Sequence, residues 1–386
     1  MALAKPANRS RYIQFISGIQ GISPGGNATI LAAKSRRYHR MKFRCQGEIA
    51  FTGGAGLLTS QVNVANRTAA GLTVTPTVAA GQITALAIVV GGANYAVGDT
   101  FQILNDATGS GGLGTVTTVA AGVVTAATWA NVGPIDPRSF FTSFRLVVGG
   151  TTVRDVLPDT TLKLAIARRI VPGLGEFPIF FTEPDRNFLQ NNDITSWQID
   201  QQNFEILMGI NPLILNPTLA GSQEFDFLQN AYPSGGGKFT HFNNAIKYRE
   251  QNFAVGAGTT DLNQLSYVGA IQRIWLLGST PGQITRLEVY QDGEKRLEAT
   301  IDDLKTMYQD YGYQFGRNNF ENQNQPGALL KGQADPLSYF DACYLADPDG
   351  RLSDALNVSS ELIVRVFSNV AQTMKVVMET APGAYA

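Results

Sequence analysis

The feature that most constrains this chain is a strand pattern that occurs twice. "FRLVVGGTTVRDV" from Phe144 resembles "TRLEVYQDGEKRLEA" from Thr285, with Arg145-Leu146 matching Arg286-Leu287 at an offset of 141. A candidate helical segment follows each copy, and there Leu162-Lys163 matches Leu304-Lys305 at an offset of 142. Further on, "TLAGSQEFDF" (Thr218 to Phe227) parallels "ALNVSSELIV" (Ala355 to Val364) at an offset of 137. A recurrence at nearly constant spacing reports architecture directly. It predicts a duplicated β unit, the first copy ending near Gly235 to Gly237 and the second filling residues 238–386. Alternating β sequences also resemble one another by chance, and that alternative stays open at this point.

The local signals agree on strands. Gly, Pro and Asn/Asp clusters punctuate runs rich in Val, Ile, Thr, Phe and Tyr, which is the pattern of short strands joined by turns. With 386 residues the chain is long enough for two or three domains of ~100 to 200 residues. From Tyr38 to Cys45, Met41, Phe43 and Cys45 alternate with Arg40, Lys42 and Arg44, predicting a half-buried strand with a basic outer face. The best helix signal is Asp302 to Tyr311, where Leu304, Met307, Tyr308 and Tyr311 recur at helical spacing behind Thr300 and Asp302 as caps.

The two copies differ in one place. In the second, "IQRIWLLG" (Ile271 to Gly278) reaches "ITRLEVY" through the turn Ser279 to Gln283. In the first, the corresponding strands are taken as "QVNVANR" (Gln61 to Arg67) and "FFTSFRLVV" (Phe140 to Val148), about seventy residues apart. The stretch between, residues 68–137, contains no Lys or Arg and has three acids, Asp99, Asp106 and Asp136. It repeats internally, since "TVAAGQITAL" (Thr77 to Leu86) returns as "TVAAGVVTAA" (Thr118 to Ala127) at an offset of 41. This predicts a small β domain inserted at a hairpin tip, where insertions disturb a scaffold least. Between its copies, "GGANYAVGDTF" (Gly91 to Phe101) resembles the Tyr-x-x-Gly-Asp repeats of phage tail and surface proteins.

Charge is polarised along the chain. The first 44 residues hold nine basic residues and no acid: Lys5, Arg9, Arg11, Lys34, Arg36, Arg37, Arg40, Lys42 and Arg44. The remainder carries 21 basic against 31 acidic residues. Such an end suits the phosphates of nucleic acid or lipid headgroups, although a solvated charged edge accounts for it too. Charged residues make up only 16% of the chain, which points to extensive partner contact. Cys45 and Cys343 cannot form a disulfide framework, and nothing near them has metal-ligand spacing. The longest apolar run, Ile83 to Val90, falls well short of the ~20 residues of a membrane span. No signal peptide is visible, so synthesis and assembly in a cytoplasm are expected.

Motifs that would carry chemistry do not assemble. Gly109-Ser110-Gly111-Gly112-Leu113-Gly114 has dinucleotide-loop spacing, but Thr115 to Val119 continues as strand where a helix N-terminus is needed, so a flexible turn is expected. Gly235-Gly236-Gly237-Lys238 has Phe239 where a phosphate loop needs Ser or Thr, and reads as a linker. The two histidines, His39 and His241, give triads and metal clusters few candidates. Asp347 and Asp349 begin like a calcium loop, but no Glu stands at the twelfth position and a type I turn explains them. No other cofactor is expected. Asp185, Asp193, Asp200 and Glu205 are the candidates for a glycosidase pair, a chemistry that β-sandwich folds do host.

Two tandem β units, a strand-turn-strand and short helix in each, and one long loop insertion resemble the double jelly-roll major capsid proteins. These come from tailless, often membrane-containing bacterial viruses of the corticovirus and tectivirus kind. The resemblance covers residues 12–67 and 138–386; "FRLVVGGTTVRDV" and "ITRLEVYQDGEKRLEAT" suggest the corticovirus side. It implies an all-β chain of two tandem eight-stranded jelly rolls with short helices, over residues 1–237 and 238–386, plus a tower at 68–137. It further implies a non-enzymatic virion protein that trimerises into pseudo-hexameric capsomers and meets neighbouring capsomers and minor capsid or vertex proteins. The basic segment, with Arg9, Arg11, Lys34, Arg36, Arg37 and Arg40, would face internal membrane lipids or the genome. The competing readings are a carbohydrate- or receptor-binding β protein of a phage tail or surface, and a two-jelly-roll hydrolase.

Overall fold

The computed structural model describes residues 12–33, 36–51, 57–63, 68–103, 109–167, 172–181, 197–199, 204–227, 247–267, 269–280, 282–310, 340–345, 356 and 358–381. The first copy opens with β1 (Tyr12–Phe15), β2 (Asn27–Ala32) and the long β3 (Arg36–Ile49). The chain then leaves for β4 (Leu57–Asn63), β5 (Ala70–Ala79), β6 (Gln82–Ala93), β7 (Thr100–Ile103), β8 (Gly112–Ala120) and β9 (Val123–Ala130), and returns at β10 (Gly133–Pro134). A short helix α1 (Pro137–Phe140) precedes the hairpin β11 (Phe141–Val148) and β12 (Thr151–Asp155), followed by α2 (Pro158–Ala167). The copy closes with β13 (Glu176–Phe180), β14 (Trp197–Ile199), β15 (Phe204–Ile210) and β16 (Ile214–Phe227). The second copy runs β17 (Lys247–Val255), β18 (Gly258–Leu262), β19 (Ala270–Gly278), β20 (Ile284–Gln291), β21 (Glu294–Thr300), α3 (Ile301–Asp310), β22 (Phe340–Leu345), β23 (Leu362–Ser368) and β24 (Gln372–Ala381).

Strand order reveals the duplication more sharply than sequence does. One sheet of the first copy runs β1-β16-β3, with β10, β13 and β14 also on β3; the other runs β2-β15-β11-β12. The second copy repeats both orders as β17-β24-β19-β22 and β18-β23-β20-β21. Seven strands of the first copy (β1, β2, β3, β11, β12, β15 and β16) therefore have one-to-one counterparts, and the hairpin-plus-helix β11-β12-α2 corresponds to β20-β21-α3, as the offsets of 141 and 142 predict. The third sequence match does not hold. Thr218 to Phe227 lies in β16, whose counterpart is β24, whereas Leu362 to Val364 of its supposed partner lies in β23, the counterpart of β15. Two strands that alternate apolar and polar residues matched by pattern alone.

The copies are joined edge to edge. β12 pairs parallel with β17, Arg154 opposite Tyr248 and Asp155 opposite Arg249, so one eight-stranded sheet passes through both copies. A continuous apolar core runs with it, from Phe43, Phe144, Phe177 and Phe204 to Trp275, Leu287, Val366 and Val376. Aromatic rings fill the first copy; Phe144 meets Phe177 edge-on with centroids 5.2 Å apart, a favoured geometry for ring quadrupoles.

The insertion has its own core, built on Phe51, Leu72, Val74, Ile83, Tyr95, Phe101, Ile103, Val116 and Val124. Its sheet order is β6-β5-β4-β7-β8-β9. Because β4 pairs with β5 and β7, Gln61 to Asn63 belong to this sheet rather than to the first roll, and the true counterpart of β19 is β3. The outer strands β6 and β9 meet through side chains: Trp129 Nε1 donates to Ile83 O at 3.1 Å, and Ile83 N donates to Asn131 Oδ1 at 2.8 Å. The internal repeat recurs at the turns of the two hairpins. Ala80-Gly81 and Ala121-Gly122 both turn with positive φ, and the Thr84 and Thr125 hydroxyls donate to Thr77 O and Thr118 O. Positive φ at both central residues matches the right-handed twist of the flanking strands.

Candidate functional site

The basic row on β3 stands as the sequence predicts for its side-chain alternation. Met41, Phe43 and Cys45 are buried, while Arg40 and Arg44 are exposed and Lys42 half-buried. The neighbouring strands supply acids. Arg40 pairs with Glu224 on β16 at 3.1 Å; Lys42 and Arg44 reach Glu176 on β13 at 2.6 and 3.9 Å. Arg36 and Arg37 place their backbone in β3, opposite Phe227 and Asp226 of β16. Arg9, Arg11 and Lys34 lie outside the described residues. Beside the row, Ile13 and Phe15 on β1 expose 71% and 88% of their surface.

The counterpart face on the second roll is closed. There Arg273 on β19 pairs with Glu379 on β24 at 2.8 Å, with side chains 3% and 0% exposed. Trp275 Nε1 donates to the other Glu379 oxygen at 2.8 Å. Sequence reasoning did not single out this trio. The available signal was a lone arginine within the apolar run "IQRIWLLG", since a charge in such a run needs a buried partner.

The outer face of β18-β23-β20-β21 carries a web of ion pairs. Arg286 bonds Glu288 and Glu298, Lys295 reaches Glu298 at 2.6 Å, and Arg365 forks onto Asp261 at 2.6 and 2.9 Å. The Tyr290 hydroxyl donates to Glu288 at 2.7 Å and, with Lys295 and Arg286 beside it, holds that carboxyl below the usual range. Three cations meet three anions, so the web fixes strand positions and leaves no net charge to recruit a ligand.

The described residues bring no two of the catalytic candidates together. Asp185, Asp193 and Asp200 lie outside the described residues, as do His241, Asp347 and Asp349; Glu205 sits on β15 opposite Leu31 and Val147. His39 is buried in β3. Burial, with Asp136 adding to it, pushes the Cys45 thiol well above its ordinary value, the reverse of what a reactive thiolate needs. Among the described residues no group of His, Cys, Asp and Glu could hold a metal ion. An open groove of about 460 Å³ runs along the β12–β17 junction, lined by Asp155, Leu157, Arg249, Glu250, Asn252 and Ser266.

The glycine loop and the Tyr-x-x-Gly-Asp segment are both packing devices. The segment Gly109 to Gly114, expected as a flexible turn, is closely packed, with β8 starting at Gly112. A Cβ on Gly114 would lie 2.2 Å from the Phe101 ring, and one on Gly111 equally close to Gly47 O. Tyr95 and Asp99 are buried, and Asp99 Oδ2 accepts from Ala96 N at 2.8 Å, closing the turn on itself.

No protein-family model matches the sequence, and no curated protein matches it. Solved structures do match. The major capsid protein P2 from Bacteriophage PM2 superposes with a TM-score of 0.59 at 11% identity, covering 98% of this chain and 100% of that one. The chain has the double jelly-roll fold. A chain of the Sulfolobus Turreted Icosahedral Virus structure gives a TM-score of 0.50 at 8% identity, over 97% of this chain and 91% of that one. Both matches span the two rolls of the double jelly roll together, which agrees with the strand-by-strand duplication.

Proposed function

We propose that this chain is the major capsid protein of a tailless icosahedral virus, a structural subunit that trimerises into pseudo-hexameric capsomers and builds the virion shell. The observation that carries this reading is the double jelly roll itself, matched end to end by the capsid protein P2. The chemistry is consistent with building material, because among the described residues the β18-β23-β20-β21 web balances its own charges and Arg40, Lys42 and Arg44 meet Glu224 and Glu176. Purified chain is expected to form trimers by mass measurement and shells or sheets by electron microscopy. A monomer at high concentration sinks the proposal.

The cationic residues Arg9, Arg11, Lys34, Arg36 and Arg37 contact phosphate groups inside the shell, of membrane lipid or of the genome. Arg40, already engaged by Glu224, contributes less. Replacing Arg36 and Arg37 with Ala is expected to weaken binding to anionic vesicles or to DNA, whichever the wild type prefers, with a steep salt dependence in the wild type. Salt-independent binding contradicts this assignment.

The insertion decorates the outer surface, as its lack of Lys and Arg and the partly exposed Trp129 favour. Glycan-array binding by the full chain, lost on Trp129→Ala, would move it to the receptor-binding reading.

A further inference from the structure

Strand β12 leaves the shared sheet early. Its pairing with β17 ends at Asp155, opposite Arg249, because the chain turns there into α2, whose first residue, Pro158, has no N–H to offer a ladder. β17 runs on to Val255, and among the described residues only β24 pairs with it beyond Arg249. Register fixes where its remaining backbone groups point. Ser279 N donates to Thr373 O at 2.9 Å, and Thr373 N turns the same way, donating to the Ser279 hydroxyl. Thr373 and, by alternation, Lys375 therefore bond toward β19, while Met374 and Val376 bond toward β17. Lys375 stands opposite Asn252 and Thr373 opposite Ala254, so these two residues of β17 turn N–H and C=O away from β24. Both are exposed, and Asn252 lines the open groove of about 460 Å³ at the β12–β17 junction.

The walls of the groove are held in place. On one face of β17, Glu250 accepts from Leu157 N at 3.1 Å and pairs with Lys375 at 3.0 Å. On the other, Gln251 accepts from Ser266 N at 2.6 Å and donates to Gln264 O at 3.3 Å. Two side chains on that second face are left to be matched. Arg249 lines the groove and has no ion-pair partner among the described residues, and Phe253 is only partly buried against the core. From Gln251 to Val255 the edge carries no charge and no proline, the usual guards against an added strand.

We infer that the edge of β17 from Glu250 to Val255 binds an extended segment of another polypeptide by strand addition, in line with the place that β12 gives up at Asp155. The occupant is a peptide because the edge offers backbone donors and acceptors at strand spacing, which a second backbone matches. Its side chains follow from the face they meet. A carboxylate opposite Gln251 lies diagonal to Arg249, and an apolar residue two positions along lies opposite Phe253 and completes its cover. Both walls are already fixed, so little ordering is lost on binding. The inference does not depend on the capsid reading.

The test uses the full chain and two labelled peptides, Gly-Thr-Glu-Thr-Val-Thr-Gly and its fully N-methylated analogue. By fluorescence anisotropy the first is expected to bind saturably and to slow hydrogen exchange in residues 250–255, and N-methylation to weaken binding about tenfold or more. Arg249→Glu is expected to reject that peptide and to accept one with Lys in place of Glu, a reversal that a misfolded variant cannot give. Ala254→Pro, which removes an outward N–H and leaves the bonds to β24 in place, is expected to abolish binding. Equal binding of the methylated peptide, or no binding at all, overturns the inference and leaves the capsid reading intact. A chain that binds the peptide but stays monomeric overturns only the capsid reading. Self-association that Ala254→Pro abolishes would assign the edge to a second copy and overturn this occupant.

Discussion

A pair of equivalent ion pairs illustrates how much surroundings decide at the scale of single residues. Arg40–Glu224 and Arg273–Glu379 occupy the same place in the two rolls, yet the first is partly open, with side chains 46% and 14% exposed, and the second is sealed. Removing one partner of a sealed pair strands a desolvated charge, at a cost of about 3–5 kcal/mol, whereas exposed pairs contribute about 0–1 kcal/mol. In urea unfolding of the dilute chain, Glu379→Ala is therefore expected to be strongly destabilising and Glu224→Ala clearly less so. Equal losses would mean that the two sites share an environment. The sequence contains both arginines in strand patterns, and nothing in either pattern reveals which roll will cover its face.

Among the elements, turns were the most legible. Gly149-Gly150 and Asp292-Gly293 link the matched hairpins, and all four residues take positive φ, as short hairpin turns require. Asp292 does more than turn the chain. Its carboxylate accepts from Glu361 N at 3.0 Å, from Ser360 N and Ser359 N at 2.6 and 3.1 Å, and from the Ser360 hydroxyl at 2.9 Å. These bonds hold its pKa far below the ordinary 3.8. A depressed carboxyl stabilises the fold above its unfolded value and loses that contribution as pH falls through the folded one. Asp292→Asn, which tolerates the same φ, is expected to lower the denaturant midpoint at pH 7, with the gap to wild type closing as pH drops below 3.8. A gap that does not change with pH would show that the charge is irrelevant. Helix α3 was legible too: of the two expected caps, Thr300 accepts from Asp303 N and donates to its carboxylate, while Asp302 lies in the first turn. The third repeat match misled because period-2 alternation carries the face of a strand and not its place in a sheet.

For the whole molecule, the insertion is a separable body. Its core shares no residue with the core of the rolls, and it leaves the scaffold where the second copy has only Ser279 to Gln283. Replacing residues 50–131 with a five-residue link is expected to preserve the β signature and cooperative unfolding of the rolls. The cost is about 2–6 kcal/mol for the lost bonds from Gln82 to Glu48 and from Gln102 to Pro134 and the paired Ile49–Ser110 bonds. Loss of cooperative unfolding, followed by circular dichroism, would make the insertion part of the scaffold.

By itself the sequence determined that the chain is β, that it is duplicated near residue 141 of offset, and that an uncharged body interrupts the first copy. Those properties are local or periodic, and so survive in a linear string. Only the tertiary structure decided which strands correspond, that β12 and β17 fuse two rolls into one sheet, and that the same basic-acidic face is closed on the second roll and open on the first. These depend on edges meeting across about a hundred residues of chain, where hydrogen-bond pairing and burial, not residue pattern, choose the neighbour.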